Sequence, residues 1–277
     1  MKKTIIAVAA IVAMTACNKN IIESQSEGYG YISLGVASDT ELIVTKVGNY
    51  QDVDASDYNV MLYKVDASGS RTPIWEASQK YSAIESPIKV SAGKYCFTAE
   101  NQTVAEAAPA DGKGSVRVYG ETEVNLAAGA TETAVVNCDP VNAMVTVAYA
   151  ENFTTTFVEP SVSVSDGTRS FGMTAGHDKG NGVYYTAETE VEVGTPVTKV
   201  KAAVLTWTLE ATVAGVDKTF TGKFNALSAT WNKITFAAGA DGLLNVTIKA
   251  DTSLTDAEEE TVTIDPTTGK EVTASAE

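Results

Sequence analysis

Few residues in this chain are equipped for bond-making chemistry, and their spacing narrows the field further. There is one histidine, His177, in the loop Gly176-His177-Asp178-Lys179-Gly180, where a lone imidazole is expected to be solvated. Zinc sites built on two or three imidazoles are therefore excluded, and Cys96 and Cys138 lack metal-ligand spacing. The sequence has no Gly-x-Ser-x-Gly elbow and no glycine-rich loop of the kind that cradles phosphate. Carboxylates are abundant enough for a glycosidase pair, yet no two stand out and most fall at outward strand positions. Asp52-Val53-Asp54-Ala55-Ser56-Asp57 opens like a calcium loop, with oxygens on alternate residues. The places that need glycine and glutamate hold Asp57 and Tyr63, so it reads as a solvated acidic loop. Neither catalysis nor a cofactor nor a metal is expected.

The cysteine with a chemical context is Cys17. Lys2 and Lys3 precede an uncharged apolar run from Ile5 to Met14, and the small pair Thr15-Ala16 stands directly before it. The run is shorter than the ~20 apolar residues that a helix needs to cross a bilayer. The order basic, apolar, small, cysteine resembles the bacterial lipoprotein signal. That resemblance implies a signal peptide over residues 1–16, acylation of Cys17 with palmitate-type chains, and a lipidated tether over 17–27. In an exported chain Cys96 and Cys138 can form one bridge or stay free. Alternation with Tyr95, Phe97 and Ala99 turns Cys96 outward, whereas Cys138 shares a row with Val136.

The chain carries 20 basic and 35 acidic residues, a formal net charge of −15. Such a surface repels phosphate backbones, so nucleic acid is not an expected partner. It also offers no polybasic route to anionic lipid heads. Contact with the membrane then rests on the acyl chains at Cys17, several of which together make a stable anchor.

From Gly28 onward, short runs rich in Val, Thr, Ile and Tyr alternate in polarity and are punctuated by Gly, Asp, Asn and Pro. Ile32, Leu34 and Val36 are one such row; Leu205, Trp207, Leu209 and Ala211 are another. Asp166-Gly167 predicts a tight hairpin. Asp139-Pro140 reads as a short joint, because proline cannot donate to a ladder and holds its predecessor extended. The fold class is therefore all-β, with an N-terminal sandwich over 28–139, a C-terminal sandwich over 140–250, and an acidic linker with a hairpin tail over 251–277. Trp207 belongs to a core row. Trp75, Trp231, Tyr184 and Tyr185 are the aromatic candidates for a ligand-binding platform. In the tail, Val262 and Ile264 form one apolar face that needs cover, either on an edge of its own domain or on another chain.

Several of these segments taken together resemble the fimbrillin-like lipoproteins of Bacteroidales. The residues that carry the resemblance are Cys17 with its tether, the strand pair Pro87 to Ala99 with Gly93-Lys94-Tyr95, and Trp231-Asn232-Lys233-Ile234-Thr235-Phe236 followed by Leu243 to Lys249. The chain also looks like a Bacteroidales lipoprotein family known as a domain of unknown function. The resemblance implies two transthyretin-like or immunoglobulin-like Greek-key sandwiches anchored on the outer membrane and displayed at the cell surface. It further implies assembly into pili or adhesion, with other pilus-like subunits as partners. The alternative is a surface glycan-binding lipoprotein of a carbohydrate-uptake system. One consequence can be checked directly. Cys17→Ala should abolish palmitate labelling and leave a soluble or unprocessed precursor; a Cys17→Ala protein that still labelled and sedimented with membranes would overturn the anchor.

Overall fold

Alternation of apolar with hydroxyl and charged residues dictates strands, and strands make up most of what the computed structural model describes. It describes residues 28–38, 54–109, 112–193, 197–239, 242–251, 259–267 and 270–271. Cys17 with its signal and tether, Asp52 of the acidic loop and the linker stretch 252–258 lie outside the described residues. The first group of elements comprises β1 (Tyr29–Ser38), β2 (Asn59–Val65), β3 (Arg71–Pro73), β4 (Gln79–Lys80), β5 (Ile88–Ser91), β6 (Gly93–Glu100), the single-turn helix α1 (Val104–Ala107), β7 (Val118–Leu126) and β8 (Thr131–Pro140). Their hydrogen-bonded order is β3-β2-β6-β7-β8-β1-β5, with β4 beside β2. β1 runs parallel to β8, and β7 meets β8 at only two paired positions, Val118 with Pro140 and Tyr119 with Asp139. There the sheet folds over, so that Ile32 and Val136 from one layer share a core with Leu62 and Phe97 from the other.

Only Val141 separates β8 from β9 (Asn142–Tyr149), which begins the second group. It continues with the turn of helix α2 (Phe153–Thr156), β10 (Val158–Ser165), β11 (Ser170–Gly172), β12 (Val183–Thr186), β13 (Thr189–Val193), β14 (Thr198–Val213), β15 (Val216–Leu227), β16 (Trp231–Ala238), β17 (Leu244–Asp251), β18 (Glu259–Asp265) and β19 (Lys270–Glu271). One sheet has the order β11-β10-β14-β13, with β15 also paired to β14; the other has the order β12-β9-β16-β17-β18-β19. They enclose a second core, in which Trp207 of β14 meets Phe236 of β16 edge-on with ring centroids 5.3 Å apart. Among the described residues no helix is long and apolar enough to cross a membrane.

The tail docks on the second group of strands. β18 pairs antiparallel with β17, Ile264 is buried in the second core and Val262 packs against it. The expected hairpin at Asp166-Gly167 forms one residue later. The Asp166 amide donates to the Arg169 carbonyl at 3.2 Å and Ser165 pairs with Ser170, which leaves Gly167-Thr168 as the loop.

The longest ladder joins β14 to β15 across Ala214-Gly215, whose φ angles of 50° and 79° match a type I′ turn. Within it Gly222 stands directly opposite Trp207. A Cβ built on Gly222 would lie 2.5 Å from the indole Cζ2, so the absent side chain is what lets the tryptophan lie down on the strand. Gly222→Val should therefore destabilise the fold by roughly 1–3 kcal/mol through overpacking. A lowered urea midpoint at unchanged slope is the expected result.

Candidate functional site

Three strands of the second group present side chains away from their own core and into the first. Tyr184 of β12, Met144 of β9 and Trp231 of β16 are cross-strand neighbours in a single row. Tyr184 and Met144 are members of the first core, and Trp231 packs against it. The Trp231 indole also donates to the Thr146 hydroxyl at 2.9 Å, with the Lys233 ammonium 3.9 Å above the ring. Of the aromatics expected to form a platform, Tyr184 and Trp231 thus lie on the seam between the two cores. Tyr185 points the other way, fully buried in the second core, and its hydroxyl donates to the Val164 carbonyl at 3.0 Å. Trp75 packs on the first core, edge-on to Phe97. Tyr184 and Tyr185 are thus buried, and Trp75 and Trp231 are half-buried against the first core.

Polar contacts lock the same seam. The Arg169 guanidinium donates to the Pro109 carbonyl of the first group at 3.0 Å and to the Tyr184 carbonyl of the second at 2.8 Å. It is held by Asp166 at 3.2 Å and lies against the Phe171 and Tyr185 rings. Burial alone would raise the Asp166 pKa. The Arg169 and Thr168 amides, the Thr168 hydroxyl and the guanidinium outweigh it and bring the carboxyl to about 2. Asn142 bridges at the joint, its Oδ1 accepting from the Arg117 amide and its Nδ2 donating to the Ser115 carbonyl.

Beside this clamp the two groups leave a cleft of about 690 Å³. Helix α1, with Val104 and Ala107, forms one rim. It is fixed by a capping box in which the Glu106 amide donates to the Thr103 hydroxyl oxygen and the Thr103 amide donates back to the Glu106 carboxylate. The wall is the outward row of β7. The Arg117 guanidinium donates to Glu100 at 2.6 Å and lies 5.0 Å above the Tyr119 ring. Tyr119 donates to Glu121 at 2.8 Å, and Arg71 grips both Glu121 oxygens at 2.9 Å. Hydrogen bonds from Arg71 and Tyr119, with Lys201 nearby, hold the Glu121 carboxyl down at about 2, while burial and this carboxylate push the Tyr119 hydroxyl upward. From the second group come Asn142, Thr186, Glu188 and Lys201. Lys201 and Glu188 make no ion pair among the described residues. Arg117 and Lys201 balance Glu121 and Glu188, so this lining is electrically neutral in a strongly acidic protein. None of these residues was singled out by spacing. The available signal was the polar row Arg117, Tyr119, Glu121 alternating with Val118 and Gly120.

Three further expectations meet the structure here. Cys96 does leave the core row, but it is buried, beneath the Arg71–Glu121 and Lys94–Glu123 pairs; burial pushes its thiol pKa up. Cys138 lies in the first core with its thiol toward the Ala99 carbonyl at 3.6 Å, burial pushing it up to about 12; both cysteines are free. His177 is not a solvated loop residue. Its Nδ1 lies 3.0 Å from the Thr146 hydroxyl and its Nε2 3.0 Å from that of Thr235, which pins the loop to β9 and β16. In the acidic loop, Asp54 caps a 3-10 turn by accepting from the Ser56 amide at 3.0 Å. No three His, Cys, Asp or Glu side chains gather into a metal site among the described residues.

Comparison with known proteins places residues 28–267 in a match to a family described as Domain of unknown function (DUF4493). No curated protein matches the chain. Solved structures similar to it include a fimbrial assembly protein from Parabacteroides distasonis ATCC 8503, at 10% identity and a TM-score of 0.41 over 84% of this chain and 99% of that one. The fimbrial anchor protein Mfa2 from Porphyromonas gingivalis shares 14% identity at a TM-score of 0.40, over 80% and 96% of the two chains. A Bacteroides thetaiotaomicron VPI-5482 structure provisionally assigned to polysaccharide binding shares 13% identity at a TM-score of 0.39, over 80% and 95%.

The histidine clasp makes stability depend on pH. Burial first, and then the Lys233 charge, hold the imidazole below its usual value of 6.5, so the folded chain resists a proton that the unfolded chain accepts. The contribution is complete above that value and is lost as the pH falls through it. Between about pH 7.5 and about pH 5 the wild type should lose more stability than His177→Gln, in which the slope from this group is absent. Parallel denaturant midpoints for the two proteins would refute the assignment.

Proposed function

The chain belongs to the DUF4493 family, and for it we propose the role of a lipid-anchored outer-membrane subunit, structural or adhesive, that works by binding and assembly and not by catalysis. The observation that carries this reading is the seam. Tyr184, Met144 and Trp231 enter the neighbouring core, and Arg169 ties both groups together, so the two sandwiches act as one stiff body. A structural subunit needs such stiffness to pass load from its anchor to whatever it holds. A hydrolase would need a paired acid and base, and the tightest carboxylate in the cleft, Glu121, is fully engaged by Arg71 and Tyr119. The resemblance of the Cys17 signal and of the Trp231 to Phe236 segment to fimbrillin-like lipoproteins supports the same role.

The cleft favours one second reading, a surface glycan binder. A neutral lining with a guanidinium, a carboxylate, an amide and an aromatic ring suits a polyhydroxylated ligand, and its size falls in the range of small-molecule sites. Deleting the chain's gene and measuring attachment of the cells to a protein-coated surface separates the two. The structural or adhesive role predicts severalfold weaker attachment, restored by the full lipoprotein and by its Tyr119→Ala variant. Restoration by the full lipoprotein but not by Tyr119→Ala would move the assignment to the glycan binder. Unchanged attachment in the deletion strain would overturn the proposal.

A further inference from the structure

Among the described residues, the strands that end each sheet order are short. The strands at the ends of the hydrogen-bonded orders are β3, β5, β11, β13, β12 and β19, and none exceeds five residues. Short edges are a standard defence against strand addition. β15 is the exception. It runs for twelve residues, keeps an unbroken register with β14 from Val213–Val216 to Ala202–Leu227, and pairs with no other strand among the described residues. It contains no proline and no bulge that would blunt it. A strand of this length with one free side is a template for another strand.

Its sequence says which strand fits. The exposed row of β15 is Asp217, Thr219, Thr221, Lys223 and Asn225, and the core-facing Phe220 stands midway between Thr219 and Thr221. Antiparallel pairing of two copies about a two-fold axis at Phe220 sets Asp217 of each opposite Lys223 of the other. The same register sets Thr219 opposite Thr221, again twice. Opposite charges and threonine pairs are both favourable directly across an antiparallel ladder. A shift by one residue breaks both matches and turns the core-facing row outward. We propose that β15 is a self-complementary edge through which two copies of this chain join their second sandwiches into one continuous sheet. The interface is isologous, so it closes at a dimer. It stands independently of the adhesive or glycan-binding role.

Charge reversal tests it in the full lipoprotein, held in detergent micelles and examined by sedimentation over a concentration series. Asp217→Lys places two lysine pairs across the axis and Lys223→Asp places two aspartate pairs, so each should weaken dimerisation about tenfold or more. The double variant Asp217→Lys/Lys223→Asp recreates both opposite-charge pairs and should restore the dimer. Mixing Thr219→Cys protein with Thr221→Cys protein should give a disulfide-linked heterodimer under mild oxidation. A wild type that stays monomeric throughout, or a dimer indifferent to the single reversals, or a double variant no better than either single one, would overturn the proposal. Circular dichroism on each variant separates loss of pairing from loss of fold, since positions 217 and 223 are exposed.

Discussion

The arrangement of the whole protein depends on side chains that β9, β12 and β16 turn away from their own core. In a sandwich, each strand buries one row and exposes the other. Here the outer row of one sheet is not exposed: Tyr184, Met144 and Trp231 cross it side by side and complete the neighbouring core. Burying large side chains of this kind contributes about 1.5–3 kcal/mol each, which a polar linker could not supply. Because the joint is the single residue Val141, the seam also leaves little freedom of relative rotation. The cleft beside it is consequently a fixed shape. Its wall comes from β7 and its floor from the start of β9, and the Asn142 bridge holds the two in register.

Electrostatics follows the same economy. With a net charge of −15 the protein carries excess acid, yet its better-defined carboxylates are committed to specific cations across strands, as with Glu121 to Arg71, Glu123 to Lys94 and Glu100 to Arg117. The more exposed of these, Glu121–Arg71 and Glu123–Lys94, contribute little to stability individually. Their effect is positional. Both lie over Cys96 on the outer face of β6, where burial raises the thiol pKa, and Glu121 also accepts from the Tyr119 hydroxyl at the cleft.

The strand character of the chain, the core rows of β1, β8 and β14, and the apolar face of the tail hairpin were legible from period-two alternation alone. Ile264 entering the second core is what that pattern asks for. β15 was not seen, and the reason is physical. Its core row reads Phe220, Gly222, Phe224, Ala226, and the glycine interrupts the apolar signal because Trp207 on the opposite strand occupies its space. The preceding turn was hidden too, since Ala214 takes a positive φ where Asn or Asp would have announced a type I′ hairpin. Trp231 and Tyr184 were recognised as aromatics needing a role, but single-strand alternation cannot distinguish a solvent-facing row from one that faces another domain. The same limit applies to Cys96 and His177, whose burial comes from neighbours distant in sequence. The cleft residues are distributed over both halves, so no local spacing could gather them.

One polar side chain shows what the seam demands. Asn232 is buried next to Trp231 on β16, and its Nδ2 donates to the Met144 carbonyl at 3.2 Å and to the Thr230 hydroxyl at 2.9 Å. The Thr230 hydroxyl has already given its proton to the Leu227 carbonyl at 2.6 Å, so it is available there only as an acceptor. The Asn232 amide is thereby directed toward the entry of β16, and its Oδ1 has no partner among the described residues. An unsatisfied buried acceptor costs about 1–3 kcal/mol, and an apolar residue in the same row would avoid it. What the amide secures is the parallel register of β16 on β9, which sets Trp231 opposite Met144. A slip by one residue would turn Trp231 back into its own core and Asn232 toward the first. The unpaired oxygen is the local consequence of fixing a row that completes the neighbouring core.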